Sequence, residues 1–441
     1  MITGCVDPQL FPHRKIGIAL AIIVACSPLL SVASENTASI VNPLTLLQAE
    51  KMFAERNRDL RAANRAVEAA EAGIISAGAR PNPNLSISTA SISPGNVGAG
   101  SVFNKRIDTV IGVSQVFERG NKADLRTGAA QAMATAIRSD RVDIERLQRV
   151  ALHGAYYDLL LAQDKIRITG ETAALFQKSL DALNIRLKAG DVAAVDVSRM
   201  SVDALRAQND ARNARADFEK AQATLAYLIG AEQDASRLRA ADDWPVPVKV
   251  TDVRALDAAI AARADVQAAQ ARVKAAEQNR DLARSLRTRD VTGGMQMERY
   301  PGNDPRNSVG FSVSIPLFTR YYYDGEIKRA EIDLQAAQEN VERVRALAAT
   351  EINRAAADLN SNAERGQRFR DILLAAAEKA AQGAEFAYSR GAIGVMDLLD
   401  ARRQLIATRL ESVAVSADYA RALSVWRAAS GVAPALSKVD E

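Results

Sequence analysis

Apolar residues recur at helical spacing along most of this chain. From Leu44 to Ala79 they fall roughly along one face, which predicts a helix that ends at the proline-rich segment 80–84. The helical pattern continues from Gly120 to Lys188, so we predict a helix about 100 Å long at 1.5 Å per residue. After a turn at 189–195, a shorter helix is predicted from Val195 to Ile229.

A second kind of pattern, in which apolar and polar residues alternate, occupies two short segments of the first half. Alternation runs from Leu85 to Ile92 and again from Ile107 to Phe117. A period of two places every second side chain on the same face of a strand. We therefore predict a β-hairpin over 84–117.

The second half follows the same plan. Alternating segments predict a β-hairpin over 290–318, and a long helix is predicted from Asp324 to Arg390. A glycine-containing turn at 389–394 separates that helix from a last one, from Val395 to Ser430. The fold class predicted from these elements is mainly α with a small β part.

The agreement between the two halves indicates an internal duplication. Gly190 and Gly391 are 201 positions apart, and so are Asp196 and Asp397. Each half is then one structural repeat built on the same plan. The predicted division is a signal peptide at 1–33, a first repeat at 34–229, an equatorial linker at 230–255, a second repeat at 256–431 and a tail at 432–441.

The amino-terminal segment is interpreted as a secretory signal peptide. Basic residues precede an apolar run from Ile16 to Leu30, and small residues up to Ala33 suit cleavage there. Cleavage before Cys26 with attachment of lipid is the alternative. No later segment has about 18 uncharged apolar residues in a row, so no transmembrane helix is predicted. Such an exported protein is periplasmic, secreted or an outer-membrane β-barrel.

Composition narrows the functional classes. Aromatic residues make up 5% of the chain and charged residues 25%, a mixture typical of long helices. The 57 basic and 53 acidic residues are interleaved, so no basic patch for binding nucleic acid is expected.

The predicted strands have a length that suits a membrane crossing. Four strands in lipid would leave unpaired edges, whereas closed barrels have eight or more strands, so several copies of the chain must combine their strands. Aromatic residues near the strand ends, at Tyr300, Phe318 and 321–323, suit the interface with lipid head groups. The alternatives are a soluble protein with these aromatics in solvent and a periplasmic coiled-coil scaffold without a pore.

Duplicated strand pairs, long unequal helices and two turns together resemble the TolC-like outer-membrane efflux family. Within it, the chain resembles the CzcC-type subunits of cobalt-zinc-cadmium efflux systems. That narrower resemblance lies in Arg80-Pro-Asn-Pro-Asn-Leu-Ser86, Gly112-Val-Ser-Gln-Val-Phe-Glu-Arg-Gly-Asn-Lys122, Ile315-Pro-Leu-Phe318 and Gly325-Glu-Ile-Lys-Arg-Ala330. The resemblance implies a homotrimer whose 12-stranded barrel in outer-membrane lipid continues as a periplasmic α-helical tunnel. It also implies that turns at Gly190 and Gly391 dock onto a periplasmic adaptor protein, which connects to an inner-membrane RND-type pump.

The resemblance implies specific roles at the turns. Asp397 and Asp400 match aspartates that ring the periplasmic entrance, and Asp196 and Tyr388 match contacts that hold this entrance closed. Six carboxylates from three copies around one constriction would favour cations. The alternative for Asp397 is a helix N-terminal residue that the helix dipole stabilises.

One family feature is missing from this sequence. The family has an arginine four residues before the first aspartate of the ring, where this chain has Ile393. This part of the contact that holds the entrance closed is therefore either missing or made differently, with Arg199 and Arg390 as the candidates.

Residues suited to catalysis or to a resident metal are few. After cleavage at Ala33 the chain would hold one histidine, His153, and no cysteine, whereas zinc sites use three or four ligands. Met295 and Met297 are the ligand type that copper(I) prefers, although packing on a strand explains them equally well. We predict no cofactor, no metal site and no enzymatic activity. The predicted function is a passive duct for divalent metal cations, with drugs or other small molecules as the alternative cargo.

Overall fold

The structure is a computed structural model that describes residues 43–90, 107–249, 256–300 and 307–431. It is mainly helical with one four-stranded antiparallel sheet, which confirms the predicted fold class. The predicted signal peptide, the alternative lipid site at Cys26 and the tail at 432–441 lie outside the described residues. None of the helices in these ranges combines the length and hydropathy that a membrane crossing needs.

The helices occupy most of each half. In chain order they are α1 (Leu46–Arg56), α2 (Arg58–Gly78), α3 (Lys122–Ala189), α4 (Ala194–Ile229), α5 (Leu256–Ala262), α6 (Ala264–Ser285), α7 (Asp324–Arg368), α8 (Leu374–Ser389) and α9 (Val395–Ser430). The 68 residues of α3 correspond to a length of about 100 Å. This confirms the long helix that the uninterrupted apolar pattern predicted.

The prediction of one helix from Leu44 to Ala79 was wrong, because the chain bends at Asn57 between α1 and α2. The Asn57 side chain accepts a hydrogen bond from the Leu60 N–H at 3.0 Å and donates one to the Leu228 carbonyl at 3.0 Å. Asn57 thus caps α2 and ties it to the end of α4. Hydrophobic spacing continues across the bend and could not reveal it.

We expect Asn57→Ala to lower the free energy of unfolding by about 1–3 kcal/mol, because a buried cap and a helix-terminal carbonyl lose their partner. A lower thermal unfolding midpoint of the purified protein would measure this loss. Asn213→Ala, at an exposed position of α4, is the matched control. Equal midpoints for the two variants would mean that the Asn57 bonds do not stabilise the joint.

The helix predicted from Asp324 to Arg390 is interrupted. A π-helical segment, Phe369–Leu373, lies between α7 and α8. Just before it, the linker crosses α7 so closely that a Cβ on Gly366 would lie 2.7 Å from Cγ of Pro247. The Gln367 side-chain amide also donates to the Pro247 carbonyl at 3.1 Å. A π segment rotates the faces of the helix that follows it, which sequence periodicity alone does not locate.

The sheet has the order β1-β2-β3-β4, with strands Asn84–Ala90, Asp108–Phe117, Val291–Arg299 and Asn307–Ser314. Its register aligns apolar residues across all four strands. One row is Leu85, Val113, Met295 and Phe311, and another is Ile87, Ile111, Met297 and Val309. All of these side chains are exposed. An intervening row of Ser86, Gly112, Gln296 and Gly310 faces the other way, so the sheet has one exposed apolar face and one polar face.

The helices continue the order of the strands. Next to the sheet, α2, α3, α6 and α7 lie side by side in that order. Farther along α3, its neighbours are α4 on one side and α9 on the other, with α7 and α8 beyond α9. The long helix α3 runs through both sets of neighbours, the one next to the sheet and the one farther from it. The shorter helices follow one another end to end, α2 with α4 and α6 with α9. The two turns therefore lie at the end of the helical layer that is remote from the sheet.

Candidate functional site

Both helical turns have the same backbone geometry. Gly190 has φ 83° and Gly391 has φ 74°, in the left-handed region that favours glycine. In each turn the glycine N–H donates to the carbonyl three residues earlier, and the next N–H donates to the carbonyl five residues earlier. This is the Schellman pattern of helix ends. No atom of the described part of the chain lies within 4 Å of a Cβ added at either glycine, so the backbone conformation and not space requires glycine.

A hydrophobic cluster holds the two turns together. It consists of Phe176, Leu183, Met200, Ala204, Ala207 and Leu399. These residues come from α3, α4 and α9, so the first helical hairpin packs directly on the start of α9. Met200 is fully buried and Leu399 is 2% exposed, which makes this cluster the local core of the turn region. The charged residues near the turns therefore belong to helices that a buried hydrophobic cluster holds in fixed positions.

Asp397 lies in the first turn of α9, where its carboxylate accepts a hydrogen bond from the Gly394 N–H at 3.2 Å. The structure therefore places Asp397 at the helix N-terminus, as the alternative interpretation had it, and shows in addition that its side chain caps the helix. The side chain is also exposed, as is that of Asp400 one turn later. Capping uses one oxygen of Asp397 and leaves its negative charge at the surface, so a role at an entrance remains a prediction.

Asp400 has a cationic partner that the sequence prediction missed. Its carboxylate lies 2.5 Å from Nη1 of Arg403, and the same guanidinium forms a salt bridge with Asp203 on α4. One arginine therefore serves two carboxylates and joins the second turn to the first hairpin. The pair of Asp400 and Arg403 could have been predicted, because residues three apart on a helix are neighbours. The contact with Asp203 could not, because Asp203 lies 200 residues from Arg403 in sequence.

Tyr388 joins the two turns through a different residue from those expected. Its hydroxyl accepts a hydrogen bond from Nη1 of Arg186, at the end of α3, over 2.9 Å. Arg390 instead lies over the ring of Phe386, with 5.3 Å between the guanidinium carbon and the ring centroid. Arg199 is exposed and forms no salt bridge with the residues that the structure describes.

Asp196 occupies the first turn of α4, at the position that corresponds to Asp397. Its backbone N–H donates to the Ala193 carbonyl at 3.1 Å, and its side chain is half-exposed. Within the described part of one protomer no hydrogen bond joins Asp196 to Tyr388. Its predicted contact at the entrance stays a prediction.

Metal chemistry gains no support from the described ranges, where no group of three or more His, Cys, Asp or Glu side chains is placed to hold a metal ion. Met295 and Met297 belong to the exposed apolar rows of the sheet. His153 lies 2.6 Å from a carboxylate oxygen of Glu50 and 3.2 Å from the hydroxyl of Ser424. The carboxylates at the turns can act on ions through their charge, without forming a ligand cage.

Known proteins provide an independent comparison. The sequence model of a family described as outer membrane efflux protein matches residues 51–231 and 255–432, one match in each half. The chain is 24% identical to the cobalt-zinc-cadmium resistance protein CzcC of Cupriavidus metallidurans, covering 91% of this chain and 96% of that protein. It is 23% identical to the outer membrane efflux protein BepC of Brucella suis, covering 70% and 68%. The solved structure of the outer-membrane channel OprN superposes with a TM-score of 0.74 at 20% identity, covering 88% of this chain and 89% of that one.

Proposed function

The chain belongs to the outer membrane efflux protein family, and from this premise we propose that it is the exit duct of a tripartite export system for divalent heavy-metal cations. Membership makes it an outer membrane efflux channel, with the fold of TolC-like channels. The observation that carries the cargo proposal is the similarity to CzcC over 91% of the chain. Export through the duct is passive, and its energy comes from an inner-membrane RND-type pump.

The proposed duct is a trimer. Within the described residues β1 and β4 pair on one side only, so each protomer presents two open sheet edges. Pairing β1 of one copy with β4 of the next gives a closed barrel of three identical parts, which removes the unpaired backbone groups that lipid does not tolerate. The exposed apolar rows supply its lipid-facing surface. The α2 and α4 edge of one protomer then meets the α7 and α8 edge of its neighbour.

The turn region is the proposed docking surface for the periplasmic adaptor. Large apolar side chains are exposed on both sides of the turns, with Ile185 at 69%, Val195 at 55% and Phe386 at 64% exposure. Exposed apolar residues on a packed support are typical of protein interaction sites. The glycines Gly190 and Gly391 present these residues on short turns, which supports docking through both hairpin ends.

The cargo is tested in a strain that lacks the gene. We expect the deletion to make growth sensitive to cadmium, zinc or cobalt ions, and we expect the gene to restore growth. Sensitivity restricted to organic antimicrobial compounds would replace the metal cargo by the alternative one while keeping the duct. Folded protein that forms no channels in planar bilayers at any voltage would instead support the scaffold without a pore.

The contact between the turns is tested by Tyr388→Phe, which removes the hydroxyl that Arg186 binds. We expect two- to tenfold more frequent opening in planar bilayers, since a hydrogen bond contributes about 0.5–1.5 kcal/mol and 1.4 kcal/mol is a factor of ten. Tyr227→Phe on α4, whose ring is also partly exposed, is the control. An unchanged opening frequency would show that this bond does not keep the entrance closed.

A further inference from the structure

The two repeats differ at the joints where their helices meet end to end. Asn57 precedes α2, and Arg263 precedes α6 at the corresponding position, 206 residues later. At the first joint, both polar groups of the Asn57 side chain have partners. Gly230 packs so tightly there that a Cβ on it would lie 2.9 Å from Cβ of Arg56. The first joint is closed.

The second joint is open. Gly431 corresponds to Gly230, yet no atom of the described residues lies within 4 Å of a Cβ added to it. A cleft of about 700 Å³ occupies this position, between the start of α6, the end of α9 and the middle of α3. Because α3, α6 and α9 are inner helices of the layer, pairing of protomers at its α2/α4 and α7/α8 edges would leave the cleft within one protomer.

Two polar atoms in the wall of this cleft have no hydrogen-bond partner among the residues that the structure describes. They are Nη1 of Arg263 and the hydroxyl oxygen of Ser430. Arg263 is only 5% exposed, and its other guanidinium nitrogens bind Asp265 and Glu351. A buried N–H donor without an acceptor is costly, and such groups in native proteins usually have a partner. The Arg263 joint therefore needs a further hydrogen-bond acceptor for Nη1. The Asn57 joint needs none, because both polar groups of the Asn57 side chain are already bonded.

The charges around the cleft favour an anion as the source of that acceptor. Five arginines line it, namely Arg138, Arg146, Arg149, Arg263 and Arg427, against one acidic residue, Glu145. Four of them have carboxylate partners, at Glu71, Asp143, Glu145, and Asp265 with Glu351. Arg427 forms no salt bridge with the described part of the chain, and it lies one helical turn before Ser430. Its charge is available to a ligand.

The ion pair between Arg263 and Asp265 holds the guanidinium in place, through bonds of 3.1 Å and 2.6 Å. Burial alone would raise the pKa of Asp265, but the hydrogen bonds and charge of Arg263 outweigh it and hold this pKa below its ordinary value. Asp265 therefore stays ionised and keeps the guanidinium oriented. Nη1 is then the guanidinium nitrogen that has no acceptor within the described ranges.

The rest of the wall is mixed: Thr135, Ser139, His153, Gln267 and Ser424 add polar groups, and the other side chains are apolar or nearly so. The apolar part includes Val142, Val150, Ala259, Ala262 and Ala428, and it supplies most of the accessible surface of the cleft. A cleft of this volume, whose accessible surface is mostly apolar and which also presents polar groups, is typical of sites for small organic molecules. We infer that the α6–α9 joint is a binding site for an organic anion, whose carboxylate or phosphate head meets Arg263, Arg427 and Ser430 and whose apolar body lies against α3.

The site is tested by photolabelling the purified protein in a neutral detergent, with a diazirine derivative of octanoate as the probe. We expect peptide mass spectrometry to place the label within α3 at 142–150 or at the end of α9 and its C-cap, at 424–431. The labelling should fall at least fivefold in Arg427→Gln and in Arg263→Gln, and remain unchanged in Arg343→Gln, at an exposed position of α7. Since Arg427 is half-exposed, its variant is expected to fold even if loss of Arg263 disturbs the joint.

Matched probes and competitors separate the possible outcomes. An equally long diazirine amine should not label the cleft, and equal labelling by that cation would overturn the proposal, as would full labelling of Arg427→Gln. Suppression by excess octanoate would assign the site to free organic anions, whereas suppression by phosphatidylglycerol alone would assign it to a lipid with an anionic head group. If inorganic phosphate suppresses the labelling while octanoate and phosphatidylglycerol do not, the ligand needs no apolar body and the proposal is contradicted. None of these readouts depends on transport, so they do not test the proposed duct.

Discussion

In channels that carry Asp397→Asn together with Asp400→Asn, we expect the cation-to-anion permeability ratio to fall about tenfold. A loss of about 1.4 kcal/mol of attraction for the cation corresponds to this factor of ten. In a trimer the two changes would remove six carboxylates from one constriction, and rings of carboxylates favour cations. Asparagine is chosen because its side-chain oxygen can still accept the hydrogen bond from the Gly394 N–H. The variant thus removes the negative charge while it keeps the hydrogen bond that caps the helix.

The measurement is the reversal potential in a salt gradient across a planar bilayer, together with block by a trivalent cation. Asp210→Asn, exposed and farther along α4, is the control for a surface charge away from the turn. Arg403→Ala is expected to act in the opposite direction, because it frees the carboxylates of Asp400 and Asp203. If neither variant changes the reversal potential, the aspartates do not line the ion path.

The second large effect is expected at the sheet. Phe311→Arg places a charge in the middle of the exposed apolar face of β4, where a cation facing lipid costs about 2–4 kcal/mol at mid-membrane. We expect at least a tenfold decrease in folded trimer in the outer-membrane fraction. Ser312→Arg changes the next residue of the same strand, whose side chain is on the polar face. It is expected to assemble much closer to the original level.

Membrane fractionation and gel analysis of unheated samples measure this difference. If the two arginine variants assemble equally well, the apolar rows of the sheet do not face lipid, and the barrel would have to be abandoned. If both fail equally, the strand tolerates no large side chain, and the smaller pair Phe311→Asp and Ser312→Asp then distinguishes the faces. A difference between the faces in either pair supports the lipid-facing assignment.

Much of this fold could be predicted because local patterns determine it. The alternation in Ile107–Phe117 predicted a strand, which the structure places at Asp108–Phe117. The glycines of the two turns predicted the helix ends, because a left-handed residue after a helix is most easily glycine. The spacing between Gly190 and Gly391 indicated that the second half would repeat the first. Each of these signals involves residues that are close in sequence or repeated at a constant interval.

The candidate site was predicted less completely. Asp397 and Tyr388 were named from the sequence, but their partners Gly394 and Arg186 were not. The Arg186 contact with Tyr388 crosses from one repeat to the other, and periodicity within either repeat contains no information about it. The same holds for Arg403, which the structure pairs with Asp203 across two helical hairpins.

The sequence by itself determined most of the elements, the duplication and the faces of the strands, because these depend on which positions along a segment are apolar. Only the tertiary structure decided how the repeats meet. It showed that Asn57 closes one joint while Arg263 leaves the other open, although the two residues hold equivalent positions. The reason is physical: a side chain's role at a joint depends on the distant groups that packing brings to it, and those groups differ between two repeats with the same local pattern.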